Sequence, residues 1–152
     1  MKDKIIRKTI LIDQLPDFVL QLESQIVPGD VLCLTGEMGA GKTTFVYNML
    51  QALGLAADAG FSSPTFTVLN QYELERFFVN HLDLYRLNRF ADFESLDLFS
   101  VIEDKSSVSF VEWGDKFSEL EPFYTKKIHF SYVAQNDLAR HVVLEGFVFA
   151  DV

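Results

Sequence analysis

Apolar and polar positions change period several times along this chain, and each change marks an element. Residues 5–12 (IIRKTILI) are rich in β-branched side chains and predict a strand. Asp13 is then expected to cap a helix running to about residue 27, with Leu15, Phe18, Val19, Leu22 and Ile26 on one face. Pro28-Gly29-Asp30 reads as a turn. Residues 31–34 (VLCL) form a short unbroken apolar run, the pattern of a strand covered on both faces of a sheet. A glycine-rich loop follows Thr35 and leads into a helix over about 42–53 that buries Phe45, Val46, Met49, Leu50 and Leu53. Residues 54–65, with Gly54, Gly60 and Pro64, read as a loop.

The second half is more strand-like. Segments 65–73 (TFTVLNQYE) and 76–85 (RFFVNHLDLY) lie close enough to pair as a hairpin. A helix is expected over about 91–101 and a strand over 108–113 (VSFVEW). Further on, Ile128, Phe130 and Tyr132 alternate onto one face, and a second strand is expected from 141 to 149. Helices interleaved with a central sheet predict an α/β fold with antiparallel strands at the edges. No repeat, low-complexity tract or linker interrupts the chain, so residues 1–152 are expected to form one domain.

Composition narrows the class. With 152 residues, 49% of them hydrophobic, the chain has the length and apolar content for a self-supporting core, and the fifteen Phe are read as part of it. Thirteen Lys and Arg against twenty-two Asp and Glu leave a net charge of −9, which argues against nucleic acid as the primary ligand. Nine of the acids, against only Lys105 and Lys116, fall between Asp92 and Glu121, a segment that would repel nucleic acid and could dock on a basic surface. The single cysteine, Cys33, cannot close an intramolecular disulfide, and no Cys/His cluster suggests structural zinc. No apolar run approaches the roughly 18 residues of a membrane span. Asp13 and Pro16 break any signal-peptide core after the basic start, so a soluble cytoplasmic protein is expected.

The chemistry concentrates at residues 36–43, Gly-Glu-Met-Gly-Ala-Gly-Lys-Thr, a full match to G-x-x-x-x-G-K-[ST]. At ordinary glycine frequency this pattern arises by chance in about one chain in a few hundred, and here it joins a buried strand to an amphipathic helix. The glycines Gly36, Gly39 and Gly41 let successive N–H groups turn inward onto phosphate oxygens, and the helix dipole adds to that field. The loop Glu37, Met38, Gly39, Ala40, Gly41 and the helix start Lys42, Thr43, Thr44 thus form the expected nucleotide site. Lys42 would reach the β- and γ-phosphates, Thr43 would ligate Mg²⁺, and Thr44 is a candidate for the α-phosphate.

Such a loop needs an acid on a neighbouring strand for the metal, and two are available: Glu112 at the end of the run 108–111, and Asp83 within HLDLYR (81–86). Ser62-Ser63-Pro64-Thr65 reads as a switch segment in which Thr65 senses the γ-phosphate or its metal. Trp113 by itself reads as a half-buried core tryptophan that could also report on the site or stack on a partner, and His81 reads as a residue that orients a neighbour. The chain has no Asn-Lys-x-Asp and no Asp-x-x-Gly, so ATP is favoured over GTP. Only Arg76, Arg86, Arg89 and Arg140 follow the loop, too scattered for a kinase lid. Arg86 is the nearest candidate for an arginine finger or for a partner of Asp83.

In this order and spacing, GEMGAGKTTF (36–45), SPTFTVL (63–69), HLDLYRL (81–87) and VEW (111–113) closely resemble the TsaE (YjeE) family, small bacterial P-loop ATPases required for threonylcarbamoyladenosine modification of tRNA. The resemblance implies a three-layer P-loop NTPase-like sandwich with a mixed central sheet, and ATP with Mg²⁺ as cofactors. It implies catalytic roles for Lys42, Asp83, Glu112 and Thr65, and metal contacts from Thr43, Glu112 and Asp83. It further implies work with the TsaD–TsaB pair, which transfers threonylcarbamoyl to adenosine 37 of tRNAs reading codons that start with A. Contact with tRNA would then be indirect, and no membrane is involved. Family members often carry a glycine-containing helix turn where this chain reads FESLDLFSVIED (93–104), without glycine.

Overall fold

The centre of the fold is β2 (Val31–Gly36), whose first four residues are buried on both faces. In the computed structural model, which describes residues 4–149, β2 pairs in parallel with β5 (Ser107–Glu112) on one side and with β6 (Lys126–Val133) on the other. The first and last three residues of the expected domain lie outside the described residues. Next to β5 runs β4 (Phe78–Asp83), also parallel, and β3 (Leu69–Glu73) closes that side antiparallel to β4. On the other side β7 (Asn136–Glu145) runs antiparallel to β6, and β1 (Ile5–Leu11) antiparallel to β7. The seven strands are ordered β1-β7-β6-β2-β5-β4-β3. Parallel strands in the middle and antiparallel strands at the edges match the expected mixed sheet.

Helices cover both faces. On one, α1 (Leu15–Leu22) and α2 (Lys42–Ala52) bring Phe18, Leu22, Phe45 and Met49 onto Leu32, Leu34, Phe110, Ile128 and Phe130. On the other, α3 (Phe90–Ser95), α4 (Leu98–Ile102) and a 3-10 turn at Ser118–Phe123 bring Phe93, Leu98, Ile102 and Leu120 onto Val31, Leu82 and Val111. Each such side chain withdrawn from water contributes roughly 1.5–3 kcal/mol. The result is a three-layer sandwich. Because β2, β4 and β5 are parallel, their C-terminal ends gather at one edge, where α/β sheets form their ligand crevice.

Several elements differ from expectation, each for a local reason. Asp13 does not cap a helix: it sits in a 3-10 turn, Ile12–Gln14, and α1 starts at Leu15 with Pro16 in its first turn, where a fixed φ costs nothing. That helix ends at Leu22 and passes into a 3-10 turn, Glu23–Gln25, although Ile26 remains in the core. Residues 64–67 form a turn rather than the start of a strand, closed by Val68 N–H on Pro64 O at 2.7 Å, and β3 begins only at Leu69. The last strand starts at Asn136, earlier than the apolar pattern suggests, and ends at Glu145, with Phe147 buried beyond it.

The helix expected over 91–101 is two helices, α3 and α4, separated at Asp97, whose backbone is left-handed (φ 56°, ψ 36°). Asp is one of the few residues that tolerates this conformation. Asp97 is exposed and its backbone conformation is strained. Asp97→Gly is therefore expected to raise unfolding stability by about 0.5–1 kcal/mol, read by urea denaturation. A loss of stability would show that the Asp97 side chain, not its backbone, decides the turn.

Candidate active site

The phosphate-type loop leaves β2 at Gly36, where φ is 133° and a Cβ would stand 2.3 Å from Phe130 O. Only glycine fits there. The loop ends at Gly41, which caps α2, so Lys42 and Thr43 open that helix and the N–H groups of its first turn have no partner within it. Lys42 is almost fully buried; its Nζ donates to Gly36 O (2.5 Å) and Glu37 O (2.9 Å) and stands 4.4 Å from the Trp113 ring centre. Burial pulls its pKa below the usual lysine value, against the opposing pull of Glu112 and Asp83.

The loop is also held from outside. Tyr132 Oη donates to Met38 O (2.9 Å) and Arg140 Nε to Ala40 O (3.1 Å), while the Arg140 guanidinium lies over the Tyr132 ring at 4.4 Å. Both braces come from β6 and β7, about a hundred residues from the loop in sequence, and no local motif signals them. Of the remaining loop residues, Glu37 and Met38 are exposed and Ala40 is buried. Thr44 is exposed on the first turn of α2.

Both expected acids arrive at the same place, because Asp83 on β4 and Glu112 on β5 are paired in register. Thr43 Oγ1 donates to Glu112 Oε1 (2.8 Å) and Oε2 (2.9 Å). Asp83 Oδ2 accepts from Thr65 Oγ1 (3.0 Å), and Oδ1 from Tyr85 N–H (2.9 Å). The Asp83 carboxyl is held above the usual aspartate range, first by burial and then by the neighbouring Glu112. Lys42, Thr43, Thr65, Asp83, Glu112 and Trp113 line one cleft of about 230 Å³. Beside it, on the other side of Gly39–Gly41, Ile10, Ile12, Leu15, Phe130 and Arg140 line a smaller apolar cavity of about 90 Å³.

Thr65 and its neighbours are tethered by side chains: Ser63 Oγ and Thr65 Oγ1 are 2.8 Å apart, and Asn70 Nδ2 donates to Ser62 O (3.0 Å). Phe66 is 81% exposed and lies under the Arg86 guanidinium at 4.6 Å. Arg86 therefore stacks on the switch-like turn, and no ion pair joins it to Asp83. Trp113, in a left-handed conformation (φ 58°), turns its ring toward Lys42 and Tyr85. Tyr85 was not singled out by sequence; its place two residues after Asp83 was the available signal.

These residues fit Mg²⁺. The donors are hydroxyl and carboxylate oxygens, the chemistry of a hard cation. Among the described residues no group of three or more His, Cys, Asp and Glu forms a closed metal cage. An open half-site is what Mg²⁺ uses when phosphates and water complete its shell.

The family model described as "Threonylcarbamoyl adenosine biosynthesis protein TsaE" matches residues 12–142. The chain is 38% identical to the tRNA threonylcarbamoyladenosine biosynthesis protein TsaE of Aquifex aeolicus over 74% of this chain and 80% of that one. It is 30% identical to the TsaE protein of Haemophilus influenzae over 72% of this chain and 73% of that one. With the TsaE protein of Borreliella burgdorferi it shares 34% identity over 56% of this chain, spanning 60% of that relative's length. The crystal structure of Bacillus subtilis YdiB superposes with a TM-score of 0.68 at 22% identity, over 95% of this chain and 87% of that one, which speaks for the fold alone. No helix among the described residues is long and apolar enough to cross a membrane. With the family model matched over residues 12–142, and with relatives at 30–38% identity over most of both chains, this chain belongs to the TsaE family of tRNA threonylcarbamoyladenosine biosynthesis.

Proposed function

We propose that the chain binds ATP with Mg²⁺ in this cleft and hydrolyses it to ADP and phosphate, as the ATPase component that serves the TsaD–TsaB pair in the cytoplasm. The modification served is threonylcarbamoyl transfer to adenosine 37 of tRNAs reading codons that start with A. The observation that carries this reading is the Thr43–Glu112 pair beside Asp83–Thr65 at the mouth of the glycine loop.

In this reading the N–H groups of residues 37–44 cradle the phosphates, and the Lys42 ammonium exchanges the Gly36 and Glu37 carbonyls for β- and γ-phosphate oxygens. Thr43, with Glu112 and Asp83, holds Mg²⁺, which when bound neutralises charge that develops on the transferred phosphoryl group. Asp83 or Glu112 accepts a hydrogen bond from the attacking water, and Thr65 follows the γ-phosphate. The apolar cavity beside the loop, with Ile10, Ile12 and Phe130, offers the adenine ring a surface to pack on. Exposed acids such as Glu94, Glu103 and Asp104 would repel tRNA, which favours contact with tRNA through the complex only.

The two arginines beside the site are engaged elsewhere: Arg86 stacks on Phe66 and Arg140 braces the loop. Hydrolysis by the chain alone is therefore expected to be slow. Steady-state phosphate release should rise about 10-fold or more when the TsaD–TsaB pair is added, as the missing charge stabilisation is supplied or the switch turn is ordered. A high rate alone, unchanged by the pair and by tRNA, defeats the partner reading.

A further inference from the structure

Behind the proposed metal half-site lies a histidine that no water reaches. His81, on β4, is 0% exposed, and its Nε2 is 2.5 Å from Glu112 Oε2. Its Nδ1 is buried without a hydrogen-bond partner. The ring lies nearly parallel to Phe61, with centres 5.8 Å apart and planes at 18°, and Phe61 in turn packs on Tyr47 and Tyr72. A contact this short with a carboxylate oxygen requires a hydrogen on Nε2. A second hydrogen on Nδ1 would be a buried donor with no acceptor, which folded proteins avoid. The geometry thus fixes the ring as an Nε2–H donor aimed at Glu112.

Glu112 depends on that donor more than Asp83 depends on any side chain. Asp83 is anchored by a backbone N–H, that of Tyr85, whereas the hydrogen-bond donors to Glu112 are the Thr43 hydroxyl and His81. If Thr43 turns a lone pair to a cation, as the proposed function has it, its hydroxyl is shared between metal and carboxylate, whereas the His81 ring has Glu112 as its one hydrogen-bond partner. We infer that His81 is a positioning residue that acts through Glu112: its Nε2–H fixes the carboxylate so that Glu112 and Thr43 present oxygens to Mg²⁺ together. The inference rests on the proposed function, since it needs the cation to arrive with the nucleotide. Outer-shell donors of this kind typically change metal affinity about 10–100-fold when removed.

The test uses two variants of the full chain. His81→Phe keeps a ring against Phe61 and removes the donor; His81→Gln returns an N–H at similar reach. ADP binding is measured by calorimetry in EDTA and in Mg²⁺, with thermal unfolding as a check that each variant is folded. Expected is an EDTA affinity within about 2-fold of wild type in both, while the gain in affinity on adding Mg²⁺ falls about 10-fold in His81→Phe and largely returns in His81→Gln. His81→Met serves as the donor-free variant if the phenylalanine does not fold. An unchanged Mg²⁺ effect in the donor-free variant overturns the inference, and so does an equal loss in the donor-free and glutamine variants, which marks a packing role. If wild-type protein does not bind ADP at all, it is the nucleotide reading that fails.

Discussion

Lys42→Ala should bind ATP about 100-fold or more weakly than the wild-type chain, since it loses two charge-assisted hydrogen bonds to phosphate at roughly 1.5–3 kcal/mol each. The structure adds a second cost. The Lys42 ammonium holds the Gly36 and Glu37 carbonyls together, so its removal also loosens the cradle in which the phosphates would sit. The fold itself should survive. A buried ammonium whose pKa burial lowers contributes little to stability, and the helix that Lys42 opens is anchored by Phe45, Val46, Met49 and Leu50. Calorimetric titration with ATP reads the affinity, and Trp113 fluorescence gives an independent signal because its ring stands over the same ammonium. Unchanged ATP affinity in Lys42→Ala would sink the phosphate-site assignment.

The two acids should part company in their variants. Thr43 donates to Glu112 and not to Asp83, so Glu112→Gln replaces an acceptor of two donors by a group with one N–H side. It should lose most of the Mg²⁺-dependent gain in nucleotide affinity, and with it hydrolysis. Asp83→Asn keeps an oxygen for Mg²⁺ and an acceptor for Tyr85 N–H, and should bind Mg²⁺–nucleotide within a few-fold of wild type. Its partner-stimulated hydrolysis should nevertheless fall about 100-fold, the scale of removing one preorganised electrostatic group. Binding isotherms with and without Mg²⁺, alongside phosphate release with the TsaD–TsaB pair, separate the two outcomes. Either variant hydrolysing ATP at the wild-type rate removes that residue from the catalytic set.

The parts of the fold that depend on local spacing could be read directly. The run 31–34, the glycine loop and the amphipathic face of Phe45, Val46, Met49 and Leu50 lie where their period puts them. Strand-end positions of Asp83 and Glu112 were legible for the same reason, although their pairing was not, because it depends on β4 and β5 aligning in register across the sheet. Residues without a local signature stayed hidden. Tyr132 and Arg140 reach the loop only through the β6–β7 hairpin, and an arginine in a strand pattern looks like any solvated edge residue. Asp97 broke a helix that its neighbours' periodicity supports, since the left-handed conformation is a property of one residue that a windowed pattern averages away. His81 had a reading as an orienting residue; what it orients, Glu112, required the cross-strand geometry.

The pairing of β1 with β7 has a consequence for how the protein is made. Strand β1 occupies residues 5–11 and its partner β7 residues 136–145, so β1 leaves a ribosome long before the strand it pairs with. Parallel pairing of β2 with β6 imposes the same delay on the strand that carries the glycine loop. The motif is therefore synthesised well before the tyrosine and arginine that brace it, which lie 94 and 100 residues further along the chain. A nascent chain stalled before β6 would carry the complete motif on an unsupported loop, with Phe130 not yet in place behind Gly36. Nucleotide binding would then serve as a sign that β6 and β7 have joined the sheet, because they supply the braces that hold the loop in shape.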